Sequence, residues 1–289
     1  MSQQRKIGRI MQGQPTIEGA GVHLNRIFGF GNTKLFDPFL LLDDFRSDNP
    51  DLYLKGFPWH PHRGIETITY MVAGSVEHGD SLGNSGEISV GDVQWMTAGS
   101  GIVHQEMPKG DPADRMGGFQ LWANLPASQK MTQPRYRDVK SDQIPEVTLE
   151  NGTTVRIICG KAYGTQGPVR EVFIDPAYLD IHIPAGQVVT HPTPMGHTVF
   201  AYVIDGKGVF GKNAESKGNH AAVVDNGKLV LFQDGDNVSI RTDVEAVRFL
   251  LISGRPLREP VAWRGPIVMN TQEELRIAFE EYQDGTFIK

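Results

Sequence analysis

The chain has 289 residues, room for one large domain or two ordinary ones. Charged residues make up 21% and apolar ones 39%, the balance of a globular chain and not of a disordered one. The formal net charge of −6 argues against direct nucleic-acid binding, which needs a basic face.

The N-terminal stretch carries basic residues but no apolar segment of the secretory type. The longest apolar clusters, at 39–42 and 249–252, fall far short of the roughly 18 residues of a membrane span. A cytoplasmic protein without membrane partners is expected. Strand-like runs then follow in chain order. Residues 65–72 alternate β-branched and aromatic side chains and stop at Gly74; 92–96 follow the turn pair Gly91-Asp92; 118–124 end before Pro126. The stretch 126–145, rich in Pro, Gln, Ser and Lys, reads as a linker. A second series covers 153–159, 178–183, 198–204, 228–232, 238–241 and 246–252. The single cysteine, Cys159, falls inside the first of these, which makes it a buried inert thiol and excludes an intrachain disulfide. Glycine, 33 residues, is above its usual share of ~7% and supplies the turns between short strands. One helix is predicted after Thr271. Thr271 and Glu274 form a capping box, Leu275, Ala278, Phe279 and Tyr282 share a face, and Gly285 supplies the stop. The pattern is all-β, two antiparallel sandwiches or barrels in tandem with a C-terminal α-helix. The expected boundaries are 1–135, a linker at 136–145, and 146–289 including the helix. The halves read as weak repeats, with an insert in the second around 212–219.

Two short pairs carry the chemistry. His60-Pro61-His62 puts two imidazoles on one face of an extended segment, and His104-Gln105-Glu106 does the same for an imidazole and a carboxylate. Either pair alone is weak. Together, flanked by glycines in one predicted domain, they would bring four ligands onto one site if their strands are neighbours. Three imidazoles and a carboxylate form a mixed N/O set with open positions, suited to Fe2+ and to other divalent transition metals. Lone histidines are read as solvated: His191 and His197 in a Pro-rich loop, and His23, His78, His182 and His220 without partner spacing. Arg63 and Glu66 divide evenly between supporting the site and ordinary surface or strand roles. Lys130, Arg135 and Arg137 are read as solvated linker residues. Phe57, Trp59, Trp95, Met107, Phe119 and Trp122 crowd the ligand blocks, as core or as cavity wall.

Three blocks are distinctive: GFPWHPHRGIETITYMVAGS, GDVQWMTAGSGIVHQEMP and GGFQLWANLPASQKMTQPRY. They resemble the pirin family of the cupin superfamily over most of the chain. The resemblance implies a bicupin, two double-stranded β-helix barrels, with a single iron in the first held by His60, His62, His104 and Glu106, and a second barrel without metal. Glu66, the ligand position of many cupins, is left out of that set. An ungapped alignment of Gly206 on Gly74 matches His60 and His62 with Pro192 and Pro194. Aligning Gly235 on Gly91 matches His104 and Glu106 with Arg248 and Leu250. None of the four replaces a ligand.

The resemblance extends to flavonol (quercetin) 2,3-dioxygenases. It implies a small flat aromatic substrate chelating the metal through its 3-hydroxyl, Glu106 as the base that takes the hydroxyl proton, and O2-dependent ring opening with release of carbon monoxide. The alternative is a non-enzymatic iron-binding, redox-sensing regulator that works through a protein partner. A third reading is a two-barrel metal protein with a different natural substrate, for which flavonol cleavage is a side activity.

Overall fold

The computed structural model describes residues 2–211 and 221–289. The expected insert at 212–219 and His220 lie outside them. The fold is predominantly antiparallel β in two units, with one long helix near the C-terminus. No helix among the described residues is long and apolar enough to cross a membrane.

The units divide the chain differently from the expected boundaries. One is Gln14–Ser141 together with Leu257–Lys289; the other is Met1–Gly13 together with Asp142–Pro256. Hydrogen bonding explains both exchanges. Strand Ile7–Gln12 pairs with Lys228–Phe232 and completes the sheet of the second unit. The C-terminal helix Gln272–Gln283 buries Leu275 and Ala278 against Ala262, Ile267, Met269 and Phe287, beside Val103 of the first unit. Its capping box forms as expected: the Glu274 amide donates to Thr271 Oγ1 at 3.1 Å and the Thr271 amide donates to Glu274 Oε2 at 2.9 Å. The expected linker is also structured, because Arg135–Val139 pairs with Val93–Thr97.

Apart from the first-named edge strand, both large sheets have the same strand order. In the first unit it runs Arg135–Val139, Val93–Thr97, Ile65–Ala73, Gly117–Asn124, Phe39–Asp44, Val22–Phe28, Gln14–Glu18. In the second it runs Ile7–Gln12, Lys228–Phe232, Thr198–Phe210, Val247–Gly254, Ala177–Ile183, Thr154–Cys159, Glu146–Thr148. The repeat is therefore real at the level of topology, and Gly74 and Gly206 share a positive φ (64° and 65°). The ungapped alignment, however, lands on the wrong strand. The counterpart of strand Ile102–Lys109, which carries His104, is Asn237–Arg241, and not the segment holding Arg248 and Leu250. Asn237–Arg241 pairs with Val188–Pro192, and the buried positions of that pair are Val189, His191, Asn237, Val238 and Ile240. Three of the five are aliphatic and join the apolar core of the second unit.

The first unit also carries a four-stranded sheet, Phe57–His62, Ile102–Lys109, Ser75–Asp80, Ser85–Ser89. This sheet bears the two ligand pairs.

Candidate metal centre

Period-two alternation decides which side chains enter the site. Along Ile102–Lys109 burial alternates strictly, with Ile102, His104, Glu106 and Pro108 inward. Phe57–His62 runs antiparallel beside it, and the register sets His104 directly opposite His60 and Ile102 opposite His62. His60, His62 and His104 thus converge, with ligating atoms all within 4.8 Å of one another. Among the described residues this is the one group of three or more potential ligands so placed. A register irregularity falls between His104 and Glu106. Glu106 stands on the same face but outside the three-histidine group, with its Oε1 3.4 Å from Thr69 Oγ1.

The hydrogen bonds of the histidines fix their tautomers. His60 Nδ1 lies 2.8 Å from the Pro58 carbonyl and His62 Nδ1 lies 3.0 Å from the Pro266 carbonyl. A carbonyl only accepts, so both Nδ1 atoms carry the proton and both Nε2 atoms present lone pairs. These two Nε2 atoms are 3.1 Å apart. Two lone pairs at that distance repel unless a cation or proton stands between them. His104 is fully buried and neither ring nitrogen has a partner. A buried imidazole with two orphaned nitrogens is unfavourable on its own, and a metal would satisfy one of them. Desolvation, reinforced by the neighbouring histidines, holds His62 and His104 well below the ordinary imidazole pKa, and desolvation also lowers His60. All three are therefore neutral, the form that ligates. By donor type, tautomer and charge, these residues fit a divalent transition metal.

Burial pushes the Glu106 carboxyl up to about 7, against the opposing pull of Thr69 and the His78 charge. A cation held by the three imidazoles would favour its ionised form. Glu66 is buried too, but it accepts from Thr97 Oγ1 at 2.6 Å and stands apart from the histidine group.

Several residues read as solvated, and Arg63, divided between site and surface, are structural. Arg63 is 1% exposed: Nη1 bonds Glu281 at 2.6 Å, Nη2 donates to the Phe287 carbonyl at 2.8 Å, and the guanidinium lies over the Phe287 ring. Lys130, 2% exposed, donates to the carbonyls of Gly64 (2.8 Å) and Val268 (3.0 Å) and to Asn124 Oδ1. Gly64 itself has φ +77, and a Cβ there would sit 1.9 Å from the Val268 carbonyl oxygen. These contacts fasten the turn after His62 to the hairpin Ala262–Arg264/Ile267–Met269, whose turn supplies Pro266. His78 is buried and pairs with Asp138 at 3.0 Å. His191 is buried, with Nδ1 3.2 Å from the Tyr163 hydroxyl. Nothing local in sequence marks these partners, which apart from Asn124 lie tens to hundreds of residues away.

His60, His62 and Glu106 open on a cavity of about 720 Å3, walled by Phe57, Trp122 and Trp263 and by aliphatic side chains. Trp122 meets His62 edge-on at 5.1 Å and Trp263 at 5.8 Å. Of the other aromatic residues crowding the ligand blocks, Trp95 and Phe119 are core, while Trp59 is 53% exposed. The hairpin residue Trp263 was invisible as a site residue because it lies more than 140 positions from the ligand blocks.

Comparison with known proteins gives the family. The pirin family model matches residues 21–123, and the model of the pirin C-terminal cupin domain matches 178–288. The chain belongs to the pirin family. A pirin-like protein of Caulobacter vibrioides is 44% identical over 284 residues, 98% of this chain and 99% of that protein. Human pirin is 39% identical over 98% of this chain and 94% of its own length. Among solved structures, quercetin 2,3-dioxygenase from Acinetobacter baumannii aligns with a TM-score of 0.87 and 32% identity, covering 98% of both chains. The pirin relationship thus spans both units, and the fold is the two-domain cupin type expected.

Proposed function

We propose that this pirin is an iron-dependent dioxygenase that opens the ring of a flavonol such as quercetin, consuming O2 and releasing carbon monoxide. The observation that carries the proposal is the set of three neutral imidazoles, His62 and His104 buried and His60 partly so, at one end of an aromatic-walled cavity large enough for a flavonol. The likeness to a structure named quercetin 2,3-dioxygenase supports the substrate class.

In this reading His60, His62 and His104 hold Fe2+ and Glu106 closes the set. Bound there, the ion supplies Lewis acidity toward chelating oxygens and redox chemistry toward O2. The protein's own groups do the rest. The Pro58 and Pro266 carbonyls keep the Nε2 lone pairs of His60 and His62 turned inward. Trp122 and Trp263 offer flat faces to an aromatic ring system and exclude water from it. The Glu106 carboxylate, on the same strand face as His104, accepts the proton of the substrate's 3-hydroxyl. Both substrates are small and diffusible, in keeping with a cytoplasmic enzyme.

The test is to strip the metal, reload with Fe2+ without oxygen, then add quercetin and O2 while following flavonol absorbance and carbon monoxide. Stoichiometric carbon monoxide that requires iron, and that disappears in His62→Ala, is the expected result. No turnover with one iron bound per chain would overturn it and favour the redox-sensing regulator.

A further inference from the structure

The cavity has a second polar end. Across the large sheet of the first unit, four residues stand directly opposite one another on successive strands: Thr69, Gln120, Asp43 and Arg26. All four line the cavity, in a wall otherwise largely apolar. Thr69 is the metal end of the row, through its contact with Glu106. Neighbouring strands lie about 4.8 Å apart, so Asp43, two strands on, is about 10 Å from Thr69.

We propose that Gln120 and Asp43 form a second recognition point, reading a phenolic hydroxyl on the ring of the substrate remote from the metal. This rests on the flavonol reading of the metal end and specifies which flavonols it takes. Gln120 Oε1 accepts from Thr69 Oγ1 at 2.6 Å, which leaves the amide N–H pair as the group Gln120 offers to the cavity. Asp43 is buried, and each carboxylate oxygen accepts once from Arg26, at 2.9 and 2.7 Å. A carboxylate has about four acceptor sites, so half remain. Burial pushes the Asp43 carboxyl up to about 6 despite Arg26, a sign that its charge is short of donors. A donor beside an acceptor, in register, matches a group that both gives and takes a hydrogen bond. A hydroxyl does so. A second carboxylate would be repelled by Asp43, and an ammonium would leave the Gln120 amide unmatched. The span from metal end to Asp43 fits a two- or three-ring aromatic with hydroxyls at both extremities.

The experiment uses the full chain loaded with Zn2+, which binds without turnover, and calorimetric titration with two probes. Quercetin carries hydroxyls on its outer rings; 3-hydroxyflavone has the chelating oxygens alone. The wild type is expected to prefer quercetin by at least about tenfold, the scale of one hydrogen bond to a charged acceptor. Gln120→Met and Asp43→Asn should each reduce that preference by about tenfold. Two variants at separate positions keep the test open if one fails to fold. A wild type that binds both probes equally, or variants that keep the full preference, would overturn the second recognition point and leave the metal-end reading standing. A wild type that binds neither probe overturns the flavonol reading, and this proposal with it.

Discussion

Glu106 separates what the site needs from what the fold prefers. In the metal-free protein burial pushes its carboxyl from the ordinary 4.5 up to about 7. A carboxyl whose folded pKa is raised helps stability most below pH 4.5, and that help is lost as pH rises through 7. Glu106→Gln removes the buried charge, so the metal-free variant should be more stable than wild type at pH 8, by on the order of 2–3 kcal/mol, and the gain should vanish near pH 4.5. With metal the sign reverses, because the variant has lost a proposed ligand and should bind Zn2+ more weakly. Denaturant unfolding at pH 8 and 5, with EDTA and then with Zn2+, reads both signs. A residue with a purely structural role would show no reversal. At this scale the histidines were legible in sequence because a period of two is a local property: spacing alone put His60 and His62 on one face of their strand, and His104 and Glu106 on one face of theirs. The roles of Arg63 and Lys130 were not legible. Whether a charge is buried depends on acceptors such as the Phe287 and Val268 carbonyls, which no local pattern announces.

Strands show the same division between local and distant causes. The half-buried or β-branched runs were read almost to the residue: 65–72 against Ile65–Ala73, 178–183 against Ala177–Ile183, 228–232 against Lys228–Phe232. Among the strands that were missed, two were missed for opposite reasons. Phe39–Asp44 is buried at every position and therefore lacks alternation, while Arg135–Val139 carries three charges and reads as linker. The element that finishes the metal site is the hairpin Ala262–Arg264/Ile267–Met269, held by a buried ammonium. Burial pushes Lys130 down to about 7, yet its three N–H groups meet three acceptors, an arrangement suited to the charged form. Lys130→Met keeps the volume but leaves those acceptors unpaired in the interior. The cost should be about 3 kcal/mol or more, a fall in Tm of several degrees. Because the Gly64 carbonyl lies two residues after His62 and Val268 two after Pro266, Zn2+ affinity should fall with it. Melting curves and competitive Zn2+ titration check the two effects together; a variant that lost stability but kept full affinity would show that the hairpin does not orient His62.

At the scale of the molecule, the tandem order of two similar units was readable, but the assignment of the termini was not. Each end of the chain completes the unit at the other end of the sequence. The first 13 residues supply an edge strand to the unit built from Asp142–Pro256, and the last 33 supply the hairpin and helix of the metal-bearing unit. Periodicity identified the C-terminal helix and its apolar face correctly, yet an amphipathic face does not say what it covers. The consequence is that the expected N-terminal domain is incomplete as a metal site. Residues 1–141 alone contain all four proposed ligands. They lack Pro266, which fixes the His62 tautomer, and Val268, which packs with Ile65 and Ile102. They also lack Phe287 and Glu281, which cover Arg63 and accept its hydrogen bonds, and the helix whose Leu275 and Ala278 are buried against the hairpin. Expressed alone, 1–141 should therefore lack cooperative unfolding and hold much less than one Zn2+ per chain, whereas the full protein holds one. Supplying residues 257–289 as a second polypeptide should restore binding if their contribution is the hairpin and helix surface. Stoichiometric, tight Zn2+ in 1–141 without that addition would mean that the ligand strands organise themselves, and that the carbonyl of Pro266 is dispensable.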